Sequence, residues 1–339
     1  MQARGPLAVA LLPLSVLFAA VAALRRHAYR TGVLASERVG VPVIVVGNIT
    51  VGGTGKTPLV LWLAEALRRR GRHPGIVSRG YGARTRVPRA VRPEDAPDVV
   101  GDEPLLLARR SGAPVWIGRD RVAAARALLA AHPECDLLIS DDGLQHYRLR
   151  RDAEIAVIDG RGAGNGWHLP AGPLREPLAR LAAVDALVVN GERLPPDLAE
   201  APPVPAFSMK LVGDRFRRLG DPAQVCGPEA FAGLRVHALA GIGHPQRFFD
   251  HLAALGLPIV PHAFPDHHAY AAQDLEIAGA DALLMTEKDA VKCAAFAPSN
   301  AWVLPVEARL APLGSGGPSR SGGDLVELVL GKIDGRPAA

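Results

Sequence analysis

Short aliphatic runs alternate with longer amphipathic stretches along most of the chain. The run Val41–Val46 consists largely of β-branched residues, which is typical of a strand buried on both faces of a parallel sheet. Comparable runs recur at Asp136–Ser140, Ile155–Ile158 and Ala186–Val189, and stretches such as Arg119–Ala131 have the composition of helices. This alternation predicts an α/β fold built on a doubly wound, mostly parallel sheet.

The longest apolar run lies near the N-terminus. Gly5–Leu24 carries no charge, and a helix of that length spans about 30 Å, the thickness of a bilayer's hydrocarbon core. Arg25 and Arg26 follow directly, which disfavours a cleaved signal peptide and predicts that the remaining chain stays on the cytoplasmic side. Pro6 and Pro13 interrupt the run, so a helix lying in the membrane interface is an alternative. We therefore expect a membrane-anchoring helix, spanning or interfacial.

A glycine-rich segment follows the first predicted strand. Thr50–Thr57 reads Thr-Val-Gly-Gly-Thr-Gly-Lys-Thr, and Pro58–Gly71 after it has an apolar face and a terminal glycine, as helices do. Strand, glycine-rich loop and helix in this order form a P-loop, whose backbone N–H groups surround phosphate oxygens. Thr50 stands where the usual pattern has glycine, and we expect Gly52 and Gly53 to supply the flexibility. The predicted nucleotide-binding residues are Thr50, Val51, Gly52, Gly53, Thr54, Gly55, Lys56 and Thr57.

Two kinds of side chain near this loop suit a nucleoside triphosphate with its metal. Lys56 is expected to reach the β- and γ-phosphates, and the Thr57 hydroxyl to bind Mg²⁺. Asp141 and Asp142 follow the apolar run Asp136–Ser140, at the carboxyl end of a strand, where ligands bind in open α/β sheets. We therefore predict Thr57, Asp141 and Asp142 as Mg²⁺ ligands.

A second, smaller lobe is expected after this domain. Prolines cluster at Leu194–Pro205, Phe207–Leu219 alternates like a β-ribbon, and short strand-like runs follow at Val236–Ala240, Ala282–Met285 and Trp302–Pro305. The predicted divisions are an N-terminal membrane-anchor helix (1–30), a P-loop nucleotide-binding domain (31–200), a smaller α/β lobe with a β-ribbon linker (201–312), and a flexible loop with a C-terminal segment (313–339).

Composition narrows the class of protein. Of 339 residues, 48% are hydrophobic and 22% charged, which excludes a mainly disordered chain. Cys135, Cys226 and Cys293 lie far apart and form no C-x-x-C pair, so neither a disulfide framework nor a zinc site is expected. The net charge of +5 suits an anionic partner such as a nucleotide or phospholipid. Nothing in the sequence interleaves aromatic and basic residues, so we expect no nucleic-acid partner.

A series of short motifs runs through the chain. They are Thr50–Thr57, Ser78–Gly82, Gly101–Pro104, Asp141–His146, Gly164–Gly166, Leu169–Pro177, Ala240–Gly243, Phe264–His267 and Thr286–Asp289. In composition and order they resemble the motifs of the tetraacyldisaccharide 4′-kinases (lipid A 4′-kinases). The match extends from the N-terminal apolar run to about residue 310, and such an ordered series is far more specific than one motif.

This resemblance implies an activity and a location. The family transfers the γ-phosphate of ATP, with Mg²⁺, to the 4′-hydroxyl of a tetraacylated glucosamine disaccharide 1-phosphate. It does so in lipid A synthesis, at the cytoplasmic side of the inner membrane of Gram-negative bacteria. The resemblance also implies that Asp102 pairs with His267 to activate the acceptor hydroxyl, and that closure between the lobes assembles the site. His268 follows directly, so either ring is a candidate partner.

The chemistry of these residue types agrees with that role. The pKa of an alcohol is far above 7, so a positioned carboxylate or imidazole must take its proton during attack. In an Asp–His pair the carboxylate orients the ring and raises its basicity. Taken alone, Asp102 is also a natural N-cap for the helix-like stretch 104–110, and His267 an ordinary surface or core histidine. The predicted catalytic residues are Asp102, His267 and Lys56.

Further polar residues lie within or beside the motifs. Tyr81 and Arg79 belong to a glycine-flanked loop at a predicted strand end, and the Arg175 guanidinium is suited to a phosphate. Glu176 is suited to a metal or a sugar hydroxyl, although Arg175 and Glu176 also read as a salt-bridged turn. We predict substrate contacts for Asn48, Arg79, Tyr81 and Arg175, and a metal contact for Glu176.

One alternative comes from a different functional class. A P-loop ATPase switch or partitioning-type protein, which gates a partner at the membrane, is compatible with the P-loop alone. A GTPase would need an Asn-Lys-x-Asp motif, and no asparagine in the sequence begins one. The switch would leave Asp102, His267 and the apolar N-terminus without a shared task.

We expect an acylated disaccharide lipid and the membrane surface at Gly5–Leu24 as partners, and no obligate protein partner.

Overall fold

Two β-sheets organise the computed structural model, which describes residues 5–83, 85, 87–198, 204–313 and 324–335. The helices are α1 (Pro6–Ala10), α2 (Leu12–Arg30), α3 (Lys56–Arg69), α4 (Pro97–Val100), α5 (Asp102–Arg110), α6 (Arg121–Ala131), α7 (Pro245–Ala254), α8 (Ala272–Leu275), α9 (Glu287–Cys293) and α10 (Leu325–Ile333). The strands are β1 (Val43–Gly47), β2 (Pro74–Ser78), β3 (Arg89–Val91), β4 (Val115–Ile117), β5 (Leu137–Asp141), β6 (Ala153–Asp159), β7 (Ala186–Asn190), β8 (Ala206–Val212), β9 (Phe216–Arg218), β10 (Val225–Cys226), β11 (Val236–Ala240), β12 (Ile259–Ala263), β13 (Ala282–Thr286), β14 (Ala301–Leu304) and β15 (Glu307–Pro312).

The larger sheet has nine strands in the order β15-β8-β7-β6-β1-β5-β2-β4-β3. The two outermost pairs, β15–β8 and β4–β3, are antiparallel, and the pairs between them are parallel. Successive side chains of a strand point to opposite faces, and Ile44 of β1 accordingly packs with Leu63 of α3 while Val45 packs with Val122 of α6. Helices thus cover both faces, and the predicted α/β fold with a mostly parallel sheet is confirmed. We call this sheet with its helices the larger lobe.

The smaller lobe is a six-stranded sheet in the order β10-β9-β14-β13-β11-β12. Strands β14, β13, β11 and β12 are parallel, and β9 and β10 add an antiparallel edge. Phe248 and Leu252 of α7 pack on one face, and Ala290 and Cys293 of α9 pack on the other. Strands β8 and β15 lie within the range predicted for this lobe but belong to the larger sheet. The division at residue 201 stays a prediction.

The chain passes between the lobes twice, from β8 to β9 and back from β14 to β15. The predicted ribbon over Phe207–Leu219 is wrong in its pairing, because β8 pairs with β15 and β9 pairs with β14. The chain leaves the larger sheet at Gly213, where an added methyl group would collide with the carbonyl oxygen of Pro305. Glycine is required here because the returning segment passes against its backbone.

The N-terminal apolar run forms two helices instead of one. α1 ends at Ala10 and α2 begins at Leu12, and the break coincides with Pro13, whose ring and missing N–H prevent a continuous helix. α2 then continues through charged residues to Arg30. Within the described ranges, no helix is both long enough and apolar enough to cross a membrane. The prediction of a spanning anchor is therefore not supported, and the interfacial alternative stays a prediction.

Two predicted irregular segments fall outside the described residues. Residues 199–203 of the proline-rich boundary and residues 314–323 of the predicted flexible loop are among them. Of the predicted C-terminal segment, the described part contains α10, which packs Leu325 and Val329 into the hydrophobic cluster of the larger lobe.

Candidate active site

The P-loop connects β1 to α3, as the sequence predicts. Gly52 and Gly55 adopt positive φ angles of 92° and 93°, a backbone region that side chains with a Cβ atom rarely occupy. At Gly55 an added methyl group would also collide with the side chain of Asn190. Lys56 begins α3, so the amide groups of the loop and the first turn of this helix face the same space.

Side chains beneath the P-loop hold its shape. Nδ2 of Asn48 donates to Oγ1 of Thr54 at 3.2 Å and to the carbonyl of Gly52 at 3.4 Å. Asn48 is fully buried, so it braces the loop instead of facing an acceptor. This burial does not favour the predicted substrate contact of Asn48, which stays a prediction.

Two residues contact the P-loop without belonging to any predicted site. Nδ2 of Asn190 donates to the carbonyl of Thr54, and Nη2 of Arg161 donates to the carbonyl of Gly53, both at 3.0 Å. Arg161 is oriented by Asp159 at the end of β6, and Asn190 ends β7. A polar residue at the carboxyl end of a parallel strand, the signal that identified Asp141, was therefore present at both strands.

Asp141 ends β5 and is buried. Its Oδ2 atom accepts a hydrogen bond from the Ser78 hydroxyl at 3.1 Å, whereas its Oδ1 atom has no partner among the described residues. Burial, reinforced by the carboxylates of Glu103 and Asp142, raises the pKa of Asp141 to about 7. A buried carboxylate oxygen without a partner is costly, and a cation beside it would remove that cost. Asp141 therefore fits the predicted role of Mg²⁺ ligand.

Asp142 joins the P-loop lysine to a second cation. Its carboxylate lies 3.4 Å from Nζ of Lys56 and 3.1 Å from Nη1 of Arg175. Burial opposes ionisation, but these two positive charges outweigh it and lower the pKa of Asp142 to about 2. Arg175, predicted to contact substrate, is thus part of the wall around Lys56.

Glu176 is held by several donors. Its Oε1 atom accepts from Gln145 at 2.9 Å, and its Oε2 atom accepts from the Tyr147 hydroxyl at 2.7 Å. Arg26 of α2 and Arg180 also lie within 3.4 Å of Oε2. Because both oxygens have partners, this arrangement argues against the predicted metal contact. Glu176 instead ties α2 to the larger lobe.

Asp102 and His267 meet at the contact between the lobes. Asp102 begins α5 and is buried, and its Oδ2 atom lies 3.1 Å from Nδ1 of His267, which follows β12 in the smaller lobe. Oδ1 of Asp102 accepts from the backbone N–H of Glu103, so the carboxylate also serves the helix start. His268 instead lies 3.1 Å from Asp274. Of the two candidate rings, the structure brings His267 to Asp102.

The electrostatics of the pair favour an ionised carboxylate beside a basic ring. Burial raises the pKa of Asp102, but the hydrogen bond from His267 and the charge of Lys288 hold it below its ordinary value. The hydrogen bond to Asp102 raises the pKa of His267, against burial and the charge of Lys288. The Tyr81 ring lies beside the imidazole, with 5.1 Å between ring centroids. Of the predicted substrate residues, Tyr81 therefore lies at the pair, and Arg79 is exposed at the end of β2.

A cavity of about 390 Å³ lies between the lobes, lined by residues next to the P-loop and next to the Asp102–His267 pair. Lys56 lines it from the larger lobe, and Gly243 and Lys288 line it from the smaller lobe. Glu103, the neighbour of Asp102, belongs to the same wall. A methyl group added at Gly243 would come within 2.5 Å of the amide nitrogen of Gly53, so the smaller lobe rests directly on the P-loop.

Comparison with known proteins gives consistent matches. The family model described as tetraacyldisaccharide-1-P 4′-kinase matches residues 7–315. A tetraacyldisaccharide 4′-kinase of Azoarcus sp. (strain BH72) is 58% identical over 342 residues, with 100% of this chain and 96% of that protein covered. One of Dechloromonas aromatica (strain RCB) is 52% identical, with 99% and 96% covered. The crystal structure of an "apo" form of LpxK from Aquifex aeolicus, in complex with ATP, matches with a TM-score of 0.75 at 29% identity, covering 90% of this chain and 95% of that chain.

Proposed function

Because the chain belongs to the tetraacyldisaccharide-1-P 4′-kinase family, we propose that it transfers the γ-phosphate of ATP to the 4′-hydroxyl of a tetraacylated glucosamine disaccharide 1-phosphate. The product is a bisphosphorylated lipid, an intermediate of lipid A biosynthesis. The observation that carries this proposal is the Asp102–His267 pair, which lies beside the cavity that the P-loop lines. An alcohol that accepts a phosphoryl group needs a positioned base to take its proton, and this pair supplies one; an ATPase switch would leave the pair without an acceptor hydroxyl.

In the reaction, the acceptor oxygen attacks the γ-phosphorus atom, the bond to the β-phosphate oxygen breaks and ADP leaves. Nε2 of His267 takes the hydroxyl proton, since Nδ1 is engaged with Asp102. Asp102 holds the ring and stabilises the imidazolium that forms. The P-loop amides and Lys56 bind the phosphates, and their positive charge stabilises the charge that develops during transfer.

The Thr57 hydroxyl and Asp141 would hold Mg²⁺. The fit rests on the orphaned Oδ1 atom of Asp141 in a buried position at the end of β5, beside the P-loop strand. When bound, the ion would neutralise charge on the phosphates during transfer. Asp142 orients Lys56 by its ion pair, so the two adjacent carboxylates have different tasks.

The N-terminal helices supply contact with the membrane surface. Ser15 is buried and bonds to the carbonyl of His168, and Arg26 pairs with Glu176, so one side of α2 packs on the larger lobe. Apolar side chains on the other side are exposed; they are Leu14, Val16, Leu17, Phe18, Val21 and Leu24. Such one-sided packing suits a helix that lies in the membrane–water interface. The enzyme therefore works at the cytoplasmic face of the inner membrane, where its lipid substrate lies.

One assay tests the activity. Purified full-length protein is incubated with Mg²⁺, γ-labelled ATP and a monophosphorylated tetraacyl disaccharide, and lipid products are separated. We expect label in a bisphosphorylated lipid, and none with a disaccharide whose 4′-hydroxyl is blocked. ATP hydrolysis without labelled lipid would favour the ATPase switch.

A further inference from the structure

Lys288 lies among the groups that surround the proposed base. It belongs to the first turn of α9, and its Nζ atom lies 3.0 Å from Glu103, 3.4 Å from Asp266 and 3.9 Å from Asp102. The same atom lies 3.4 Å from Nε2 of His267. Only 16% of the side chain is exposed. A buried ammonium group requires several acceptors, and these come from both lobes.

The contact between Lys288 and His267 determines where the imidazole proton lies. A lysine ammonium has three donors and no acceptor, so a hydrogen bond between the two groups requires the lone pair of Nε2 of His267. The remaining ring proton is then on Nδ1, which donates to Asp102. Lys288 and Asp102 thus act from opposite sides of the ring and select one tautomer. That tautomer has the unprotonated Nε2 that a base for a hydroxyl group needs.

The charges around the ring come from three elements. Asp102 of α5 and Asp266, which directly precedes His267 in its loop, raise the pKa of His267, and Lys288 of α9 lowers it. Glu103 forms an ion pair with Lys288 at 3.0 Å. An imidazolium would place a second positive charge 3.4 Å from the ammonium group. Lys288 therefore opposes protonation of the resting ring, which Asp102 alone would promote.

We propose that Lys288 is a positioning residue for the proton transfer: its ammonium group holds Nε2 of His267 unprotonated until the acceptor hydroxyl takes its place. This inference rests on the proposed function, in which His267 is the base. Lys288 lines the cavity, so a hydroxyl that displaces it from Nε2 enters from the side of the bound nucleotide. The hydroxyl proton moves to Nε2, and Lys288 retains its own three protons and its contacts with Glu103 and Asp266.

The first test needs no turnover. The full chain is labelled with ¹⁵N-histidine, and the resonances of His267 among the 11 histidines are identified from the spectrum of His267→Gln. Above the pKa we expect the wild type to show the Nδ1–H tautomer. In Lys288→Met the pKa of His267 is expected to rise by about one unit. Lys288→Arg should restore it, and Lys332→Met, the same change at a remote exposed lysine, should leave it unchanged.

Two results would overturn the inference. One is an Nε2–H tautomer in the wild type, a measurement that stands even if Lys288→Met fails to fold. The other is an unchanged pKa of His267 in a folded Lys288→Met protein.

The second test separates this inference from the proposed function. With the labelled-lipid assay, kcat/KM is measured against pH for the wild type, Lys288→Met and Lys288→Arg. We expect the acid limb of Lys288→Met to move up by about one pH unit and that of Lys288→Arg to return toward the wild type. An equal loss at every pH would make Lys288 merely structural and refute the inference. A wild type that phosphorylates no lipid would refute the proposed function, and the tautomer measurement would still decide the role of Lys288.

Discussion

The Nδ1 atom of His267 lies 3.1 Å from the Oδ2 atom of Asp102, although the two residues are 165 positions apart in the chain. Asp102 begins a helix of the larger lobe, and His267 follows a strand of the smaller lobe. His267 has a positive φ of 59°, an uncommon conformation for a residue other than glycine and one that tends to occur at functional sites. The proposed base is therefore complete only while the lobes are in contact.

We expect Asp102→Ala and His267→Ala each to lower kcat by about 10²- to 10⁴-fold, because either change removes a working general base. The double variant should lose little more than the worse single variant, since the two side chains act as a unit. Measurement of kcat for all four proteins at saturating ATP and lipid checks this. His268→Ala, which alters a ring paired with Asp274, serves as the control and should stay near the wild-type rate. Losses that multiply would show that Asp102 and His267 act independently.

The pH dependence should follow the ionisation of His267. Its pKa is raised by Asp102 above the ordinary value of 6.5, and only the neutral ring accepts a proton, so kcat/KM should rise with pH through that raised pKa. Asp102→Asn removes the carboxylate, and the pKa of His267 then falls. We therefore expect the acid limb to move to lower pH while the plateau rate decreases. A limb that stays in place, or moves to higher pH, would contradict the pairing.

Much of the fold follows from local pattern. The β-branched run of β1, the glycine loop and the helix after it are contiguous, so their arrangement is readable from the sequence, and the carboxylates after β5 follow from strand polarity. The pairing of β8 with β15 is different, because about 100 residues separate the two strands and neither carries a signal for its partner. The sequence shows Pro13, but the apolar run around it does not reveal whether the helix ends at this proline or continues past it.

The site divides in the same way. The P-loop residues follow from the spacing of the glycines and the lysine. The pairing of Asp102 with His267 is expected only from the family resemblance. The comparisons confirm the family. Burial disfavours the substrate contact expected of Asn48, whose amide nitrogen is bonded to the P-loop, and the donors around Glu176 disfavour its metal contact. Only the tertiary structure supplies these surroundings. Lys288 belongs to the motif Thr286–Asp289, but its task depends on groups from both lobes, which no local pattern contains.

Lys56→Met should lower kcat by at least about 10²- to 10³-fold, the usual loss when one charge-stabilising donor is removed. The fold should persist, because Asp142 retains its ion pair with Arg175. Phosphoryl transfer and thermal unfolding, measured on the same preparations, test both statements. Lys332→Met, on the remote helix α10, is the matched control and should match the wild type in rate. Unchanged turnover of Lys56→Met would contradict the assigned contact with the phosphates.

The apolar outer side of α2 should set the affinity for membranes. Leu17 and Val21 are 60% and 58% exposed, and transfer of each side chain into the interface contributes about 1.5 kcal/mol or more. Leu17→Glu with Val21→Glu should therefore lower vesicle partitioning about 100-fold or more, as measured by cosedimentation with phospholipid vesicles. The control pair, Val225→Glu with Val260→Glu, places the same charges on similarly exposed residues of the smaller lobe and should leave partitioning intact. Activity on detergent-dispersed lipid should survive in both. Equal losses of vesicle binding in the two pairs would point to net charge and against a membrane contact through α2.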